Sequence, residues 1–165
     1  MSDTAFHGLN DEPPPGQRPV RRLDRLLAHY GESHRHPTNE RIHLVAIPAI
    51  MVSIVGLLYA LHPWVAYAFV AASMVYYLRL GAPLLLAIML GWTVVMFALV
   101  LAMGDKVLPI SAAIFVVGWI FQFVGHKIEG KKPSFFEDIQ YLYVGPLFVV
   151  VRLMERMGIA PRASS

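Results

Sequence analysis

The sequence predicts an all-α protein: a polytopic membrane helix bundle with four transmembrane helices, completed by amphipathic or re-entrant helices on the cytoplasmic side. Three observations carry this. Hydrophobic residues make up 56% of the 165-residue chain and charged residues only 15%, against about a quarter charged in an ordinary soluble domain. The charges are also segregated: between positions 42 and 126 only Arg79, Asp105 and Lys106 carry one. No small soluble core can hide so long an uncharged stretch, which leaves lipid as its solvent. Finally, four long apolar runs are separated by breaks too short for anything but tight turns.

From the N-terminus, residues 1–20 hold Pro13, Pro14, Pro15, Gly16 and Pro19 among polar groups, a composition that cannot bury a core and reads as a disordered cytoplasmic tail. Residues 21–157 read as a single membrane domain. In RRLDRLLAHY, residues 21–30, Leu23, Leu26, Leu27 and Tyr30 share one helical face and Arg21, Arg22, Asp24 and Arg25 the other. The pattern predicts a basic amphipathic helix on the membrane surface, stopped near Gly31.

Spans are expected at about 42–61, 64–80, 84–103 and 107–125, each of roughly the 17–25 residues that cross a bilayer core. The first run begins after some forty polar residues and lacks a small-residue cleavage signature, unlike a secretory signal. Four spans put both ends of the chain and the turn at Arg79 on one side. That side collects all the Lys and Arg residues except Lys106, so both termini are expected in the cytoplasm, with the bacterial inner membrane as the setting. This topology also accounts for the pI near 9.3 without nucleic acid. Residues 139–151, within a helical region expected over about 135–157, are apolar but too short to cross. Ser134 with Glu137 makes a capping box, Gly145–Pro146 should kink the helix it starts, and an in-plane or re-entrant helix pair is expected there.

Chemistry concentrates in two blocks. One is His34-Arg-His36-Pro-Thr-Asn39-Glu-Arg-Ile-His43, entering the first span. The other is Trp119-Ile-Phe-Gln122-Phe-Val-Gly-His126-Lys-Ile-Glu129, leaving the fourth. The topology brings both to one cytoplasmic rim. Asn39 and His43 are four apart, and Trp119, Gln122, His126 and Glu129 form one stripe at spacings of three, four and three. A Gln inside an apolar span belongs on the bundle's inner side. The chain has no cysteine, which excludes disulfides and thiolate metal sites. Imidazoles beside a carboxylate suit iron, zinc or copper, and two histidines with a carboxylate would leave iron open positions for oxygen and substrate. Asn39 and Gln122 suit a supporting role, holding ligand tautomers by hydrogen bonds. The same histidines also suit contacts with lipid headgroups, so a non-enzymatic membrane scaffold or lipid-binding protein with a structural metal stays the rival reading. His29, His62 and His7 are expected on the amphipathic helix surface, in a turn at the opposite face, and in the tail.

The run Tyr30…His34-Arg-His36-Pro-Thr-Asn39…His43…Pro48 and the run Trp119…Gln122-Phe-Val-Gly125-His126…Glu129…Pro133, followed by Gly145-Pro146-Leu-Phe148, resemble the 2-hydroxy fatty acid dioxygenase family of fatty-acid alpha-oxidation. The resemblance covers roughly residues 25–152. It implies an enzyme that uses Fe(2+) and oxygen to shorten a 2-hydroxy fatty acid by one carbon in contact with membrane lipid; self-association is left open. It makes His34, His43 and His126 the metal ligands and Glu129 a ligand or a neighbour of one. Asn39 and Gln122 match as supporting polar residues. His36 departs from the Asn expected in many members and is a further residue for cofactor binding. Arg35, Arg41, Lys127 and Lys131 are all at a depth to pair with the substrate carboxylate. Di-iron desaturases need several HxxxH and HxxHH clusters, and this chain has neither.

Overall fold

The computed structural model describes residues 22–132 and 140–159. Among these residues there are six α-helices and no strand: α1 (Arg22–Glu32), α2 (Pro37–Leu61), α3 (Pro63–Arg79), α4 (Pro83–Ala102), α5 (Val107–Glu129) and α6 (Tyr141–Arg156). The expected tail at 1–20 and the Ser134/Glu137 capping box lie outside the described residues.

Sequence punctuation sets the boundaries. α2, α3 and α4 each start on a proline, whose missing N–H costs nothing in a first turn and whose φ is preset for a helix. His36 and His62 precede two of these prolines and cap them, each ring Nδ1 accepting from the backbone N–H two residues on. Gly81 turns the chain between α3 and α4 at φ +67°, and Gly130 ends α5 at φ +74°. Left-handed glycine there lets the Lys131 N–H reach back to the His126 carbonyl at 3.2 Å.

Among the described residues, three helical segments are long and apolar enough to cross a membrane: α2, α4, and Gly104–Glu129, which joins a short 3-10 turn to α5. Their mean hydropathies are 2.5, 2.7 and 2.2. The second expected run, 64–80, forms α3, only 17 residues long. Large apolar side chains such as Val45 and Val94, 73% and 70% exposed, point away from the bundle, as they do where lipid is the solvent.

α2 and α5 form the central pair, and small residues on both helices bring them close. Ser111, Gly118 and Gly125 recur every seventh residue on α5. Ser111 fills the space a side chain on Gly56 would need, Gly118 admits Ile50, and Gly125 admits Asn39. A Cβ at Gly118 would sit 2.6 Å from Ile50 Cγ1, so the glycine is required by the packing. α3 and α4 complete one apolar cluster with α2 around Val52, Val55, Ala66, Val70, Met96 and Val100.

The peripheral helices differ from expectation. The apolar stripe of α1 (Leu23, Leu26 and Tyr30) is buried in one cluster with Val144, Leu147 and Phe148 of α6. It meets protein where a helix lying alone on the membrane would meet lipid. Of the helix pair expected over 135–157, residues 135–139 lie outside the described residues, and those that follow form one helix, α6, which runs through Pro146. Gly145 and Pro146 are buried, and the Tyr30 hydroxyl packs where a side chain at 145 would stand. Close approach to α1 is the purpose those two residues serve.

Candidate metal centre

His34, His43 and His126 come from three different places and meet at one end of the bundle. His34 stands in the link between α1 and α2, His43 on the second turn of α2, and His126 near the end of α5. Their exposures are 1%, 1% and 5%. Ring centroids lie 4.3 Å apart for His34 and His43, 4.7 Å for His43 and His126, and 5.1 Å for His34 and His126. One ring nitrogen of each falls within 4.8 Å of the others.

The hydrogen bonds decide which nitrogens are free. His34 Nδ1 donates to the Tyr30 carbonyl at 2.6 Å, and His43 Nδ1 donates to the Asn39 carbonyl at 2.9 Å. A carbonyl only accepts, so both neutral rings carry their proton on Nδ1 and a lone pair on Nε2. His34 Nε2 is buried without a partner. His43 Nε2 lies 3.1 Å from His126 Nε2. Without a cation that contact requires a proton on His126 Nε2; with one, both nitrogens turn lone pairs to it. Two ligands about 2.1 Å from one ion at ordinary angles are roughly 3.0–3.4 Å apart, which the pair matches. Burial holds the His34 imidazole below its ordinary pKa, the Arg152 charge adding to this and the Tyr30 carbonyl and Glu129 opposing it. The ring is therefore neutral near neutral pH, as a ligand must be. An orphaned buried nitrogen, Nδ1 protons anchored on backbone carbonyls, and a donor set of imidazoles without thiols all fit a divalent transition metal.

Glu129 stands apart from the three rings. It accepts from the backbone N–H groups of Arg35 and His36 at 3.0 and 2.8 Å and from Asn39 Nδ2 at 3.1 Å. An anion at the N-terminus of α2 satisfies donors the helix leaves open and complements its dipole. The carboxylate thus ties the end of α5 to the start of α2 and is a positioning group for His43. Asn39, fully buried, also donates to the Ser33 carbonyl at 3.0 Å, so one side chain joins both blocks and the loop that carries His34. His36 is exposed and is the N-cap of α2; its ring nitrogen is spent on the Thr38 N–H, outside the cluster. Gln122 is buried one turn before His126.

Two neighbours of the centre were not singled out by sequence reasoning. Tyr30, besides offering its carbonyl, stacks its ring on His34 at 4.2 Å with planes 12° apart. Phe148 of α6 packs close by, 5.4 Å from His34 and 5.0 Å from Tyr30. The i, i+4 spacing of Tyr30 and His34 is the signal that finds the first; nothing local marks the second. Of the basic residues expected near a substrate carboxylate, Lys131 is engaged with the Glu32 carbonyl at 3.1 Å. Arg152 lies over Phe148 at 5.1 Å, paired with Glu155 at 2.8 Å.

An apolar cavity of about 220 Å³ opens beside the centre. Tyr30, Gln122 and His126 line its head, and Met51, Met74, Met89 and Met96 much of its wall. The arrangement can hold a metal at the end of a greasy slot.

Comparison with known proteins places the chain in a family. The family model for 2-hydroxy-palmitic acid dioxygenase Mpo1-like proteins matches residues 20–79 and 85–157. The 2-hydroxy-palmitic acid dioxygenase MPO1 of Saccharomyces cerevisiae is 28% identical over 142 residues, covering 82% of each chain. No solved structure matches the chain. The two His-containing blocks and both helices that enclose them fall within the matched segments, and the chain belongs to the Mpo1-like family of 2-hydroxy-palmitic acid dioxygenases.

Proposed function

We propose that the chain is an Fe(2+)-dependent dioxygenase that shortens 2-hydroxy fatty acids by one carbon. The observation that supports this most is the meeting of three buried histidines, their Nε2 atoms free of backbone partners, at the head of an apolar cavity. When bound, Fe(2+) would supply a centre that the hydroxyl and carboxylate of the acid can chelate and that activates oxygen. The residues do the rest. His34, His43 and His126 present lone pairs in fixed orientations; Asn39 and Glu129 hold the start of α2, and with it His43, in register. Gln122 is the uncharged polar side chain beside His126 that would meet the polar head of the acid. The apolar walls take the chain and keep bulk water from the reacting carbon. One 2-hydroxy acid and one oxygen molecule balance to the shorter acid, carbon dioxide and water, so that reaction needs no outside reductant.

The four-span arrangement belongs to the same proposal, with α3 as the short second span, both termini cytoplasmic, and the bacterial inner membrane as location. The placement of every Lys and Arg except Lys106 on one side supports it.

The test is metal analysis of anaerobically purified protein, then oxygen uptake on long-chain 2-hydroxy acids, for wild type and His126→Ala. Expected are iron and turnover in the first and loss of both in the second. Folded, iron-loaded protein that is silent on such acids would sink the substrate assignment. Folded protein with no affinity for metal would move the chain to a lipid-binding scaffold.

A further inference from the structure

The cavity below the histidines has a direction and an end. On α2 its lining follows one face: Ile47, Ile50, Met51, Ile54 and Val55. From His43 to Val55 is twelve residues, roughly 18 Å of helix at 1.5 Å per residue. A bilayer's hydrocarbon core is about 30 Å thick, so one leaflet's acyl chain occupies about 15 Å. The stretch of α2 from the histidines to Val55 is therefore about as long as a single chain of membrane-lipid length.

The other helices stop contributing at matching depth. α4, running away from the rim, lines the cavity with Met89, Thr93 and Met96; α3, running back toward it, joins at Phe69 and Val70. One turn beyond, Ala66 and Val100 are 0% and 1% exposed and are absent from the lining. Val55, Val70 and Met96 pack with them in one buried cluster, which closes the far end.

We propose that Val55, Val70 and Met96 form a stop that sets the longest acyl chain the site accepts, an inference that rests on the 2-hydroxy fatty acid reading above. Val55 and Val70 are β-branched and stiff. Met96 is the yielding member, since a thioether adapts its shape. Each methylene denied a place in the cavity lowers affinity roughly fourfold, from about 0.8 kcal/mol of lost burial.

The experiment uses the full chain in detergent or nanodiscs and straight-chain 2-hydroxy acids spanning about 10 to 22 carbons, around the length one leaflet holds. Oxygen uptake gives kcat/KM for each acid. Displacement of a fluorescent fatty acid from iron-free protein gives chain affinity independently of turnover. Wild type is expected to gain with length and then fall at a cut-off. Met96→Ala should move the cut-off outward by about two or three carbons, raising relative kcat/KM roughly fourfold for the first excluded acid and roughly fifteenfold for the acid two carbons past the wild-type cut-off. Val70→Phe, the opposite change, should move it inward. A wild type without a cut-off, or a cut-off that neither variant moves while both still bind fatty acid, overturns the stop. A cut-off that moves in the displacement assay while oxygen uptake is absent supports the stop and overturns the dioxygenase reading.

Discussion

α2 and α5 run side by side, yet the two ends of their seam are closed by opposite chemistry. Away from the rim, Gly56 receives Ser111 and Gly118 receives Ile50; every group there is small or apolar and nothing is left unpaired by the contact. At the rim the same two helices meet through His43 and His126, nitrogen to nitrogen at 3.1 Å, beside an Asn39 Oδ1 and a His34 Nε2 that have no hydrogen-bond partner. Leaving such a group buried and unsatisfied costs about 1–3 kcal/mol. The contrast locates the origin of the site's precision. Small residues let the backbones approach and fix the spacing, and that spacing holds costly polar groups within reach of one another.

Either end of the seam can be perturbed separately. The largest effect is expected from His43→Ala, which should lower metal affinity by more than about 100-fold, beyond what supporting residues control, and abolish oxygen uptake; titration with Fe(2+) under nitrogen reads it. Gly118→Leu should cost about 1–3 kcal/mol through overpacking against Ile50, seen as a lower Tm. If the seam sets the site, this variant also loses metal affinity although position 118 is eight residues, about 12 Å of helix, from His126. Unchanged affinity in folded Gly118→Leu would separate the two ends. Asn39→Ala and Glu129→Gln should each weaken metal binding about 10–100-fold, as removal of orienting partners does; a complete loss in Glu129→Gln would mean that the carboxylate binds the metal directly. His36→Ala should cost about 1 kcal/mol of stability as a lost cap and leave metal affinity alone.

Much of this was legible in the sequence, for reasons that differ by residue. The helices were readable because apolar runs bounded by His-Pro and Gly-Ala-Pro leave little choice of boundary. The meeting of the two His blocks came from charge segregation and from their placement at the ends of the first and last long runs. The role of Glu129 was not legible. Helical spacing puts it on the stripe of His126, but only the fold shows that the N–H groups of Arg35 and His36, just before α2, arrive at that carboxylate. His36 was read as a further residue for cofactor binding; its position just before Pro37 also gives it a helix start to cap, and its ring Nδ1 accepts from the Thr38 N–H. The region of α6 was read as in-plane or re-entrant, and its packing on the stripe of α1 was not legible, because a sequence cannot say whether a greasy face meets lipid or another helix. The cavity was invisible too, since its lining is assembled from scattered residues on several helices.

His34 sits on the margin of the bundle, and that has a consequence for assembly. The central pair carries two of the three imidazoles on its own. The third arrives on a short link, its ring tied to the Tyr30 carbonyl of α1 and wedged against Phe148 of α6. Until those two outer helices dock, the centre is a two-toothed grip. Docking closes it, and an ion held by all three teeth would in turn resist undocking. The metal would act as a rivet that fastens the amino-terminal and carboxy-terminal flanks of the chain to the central pair.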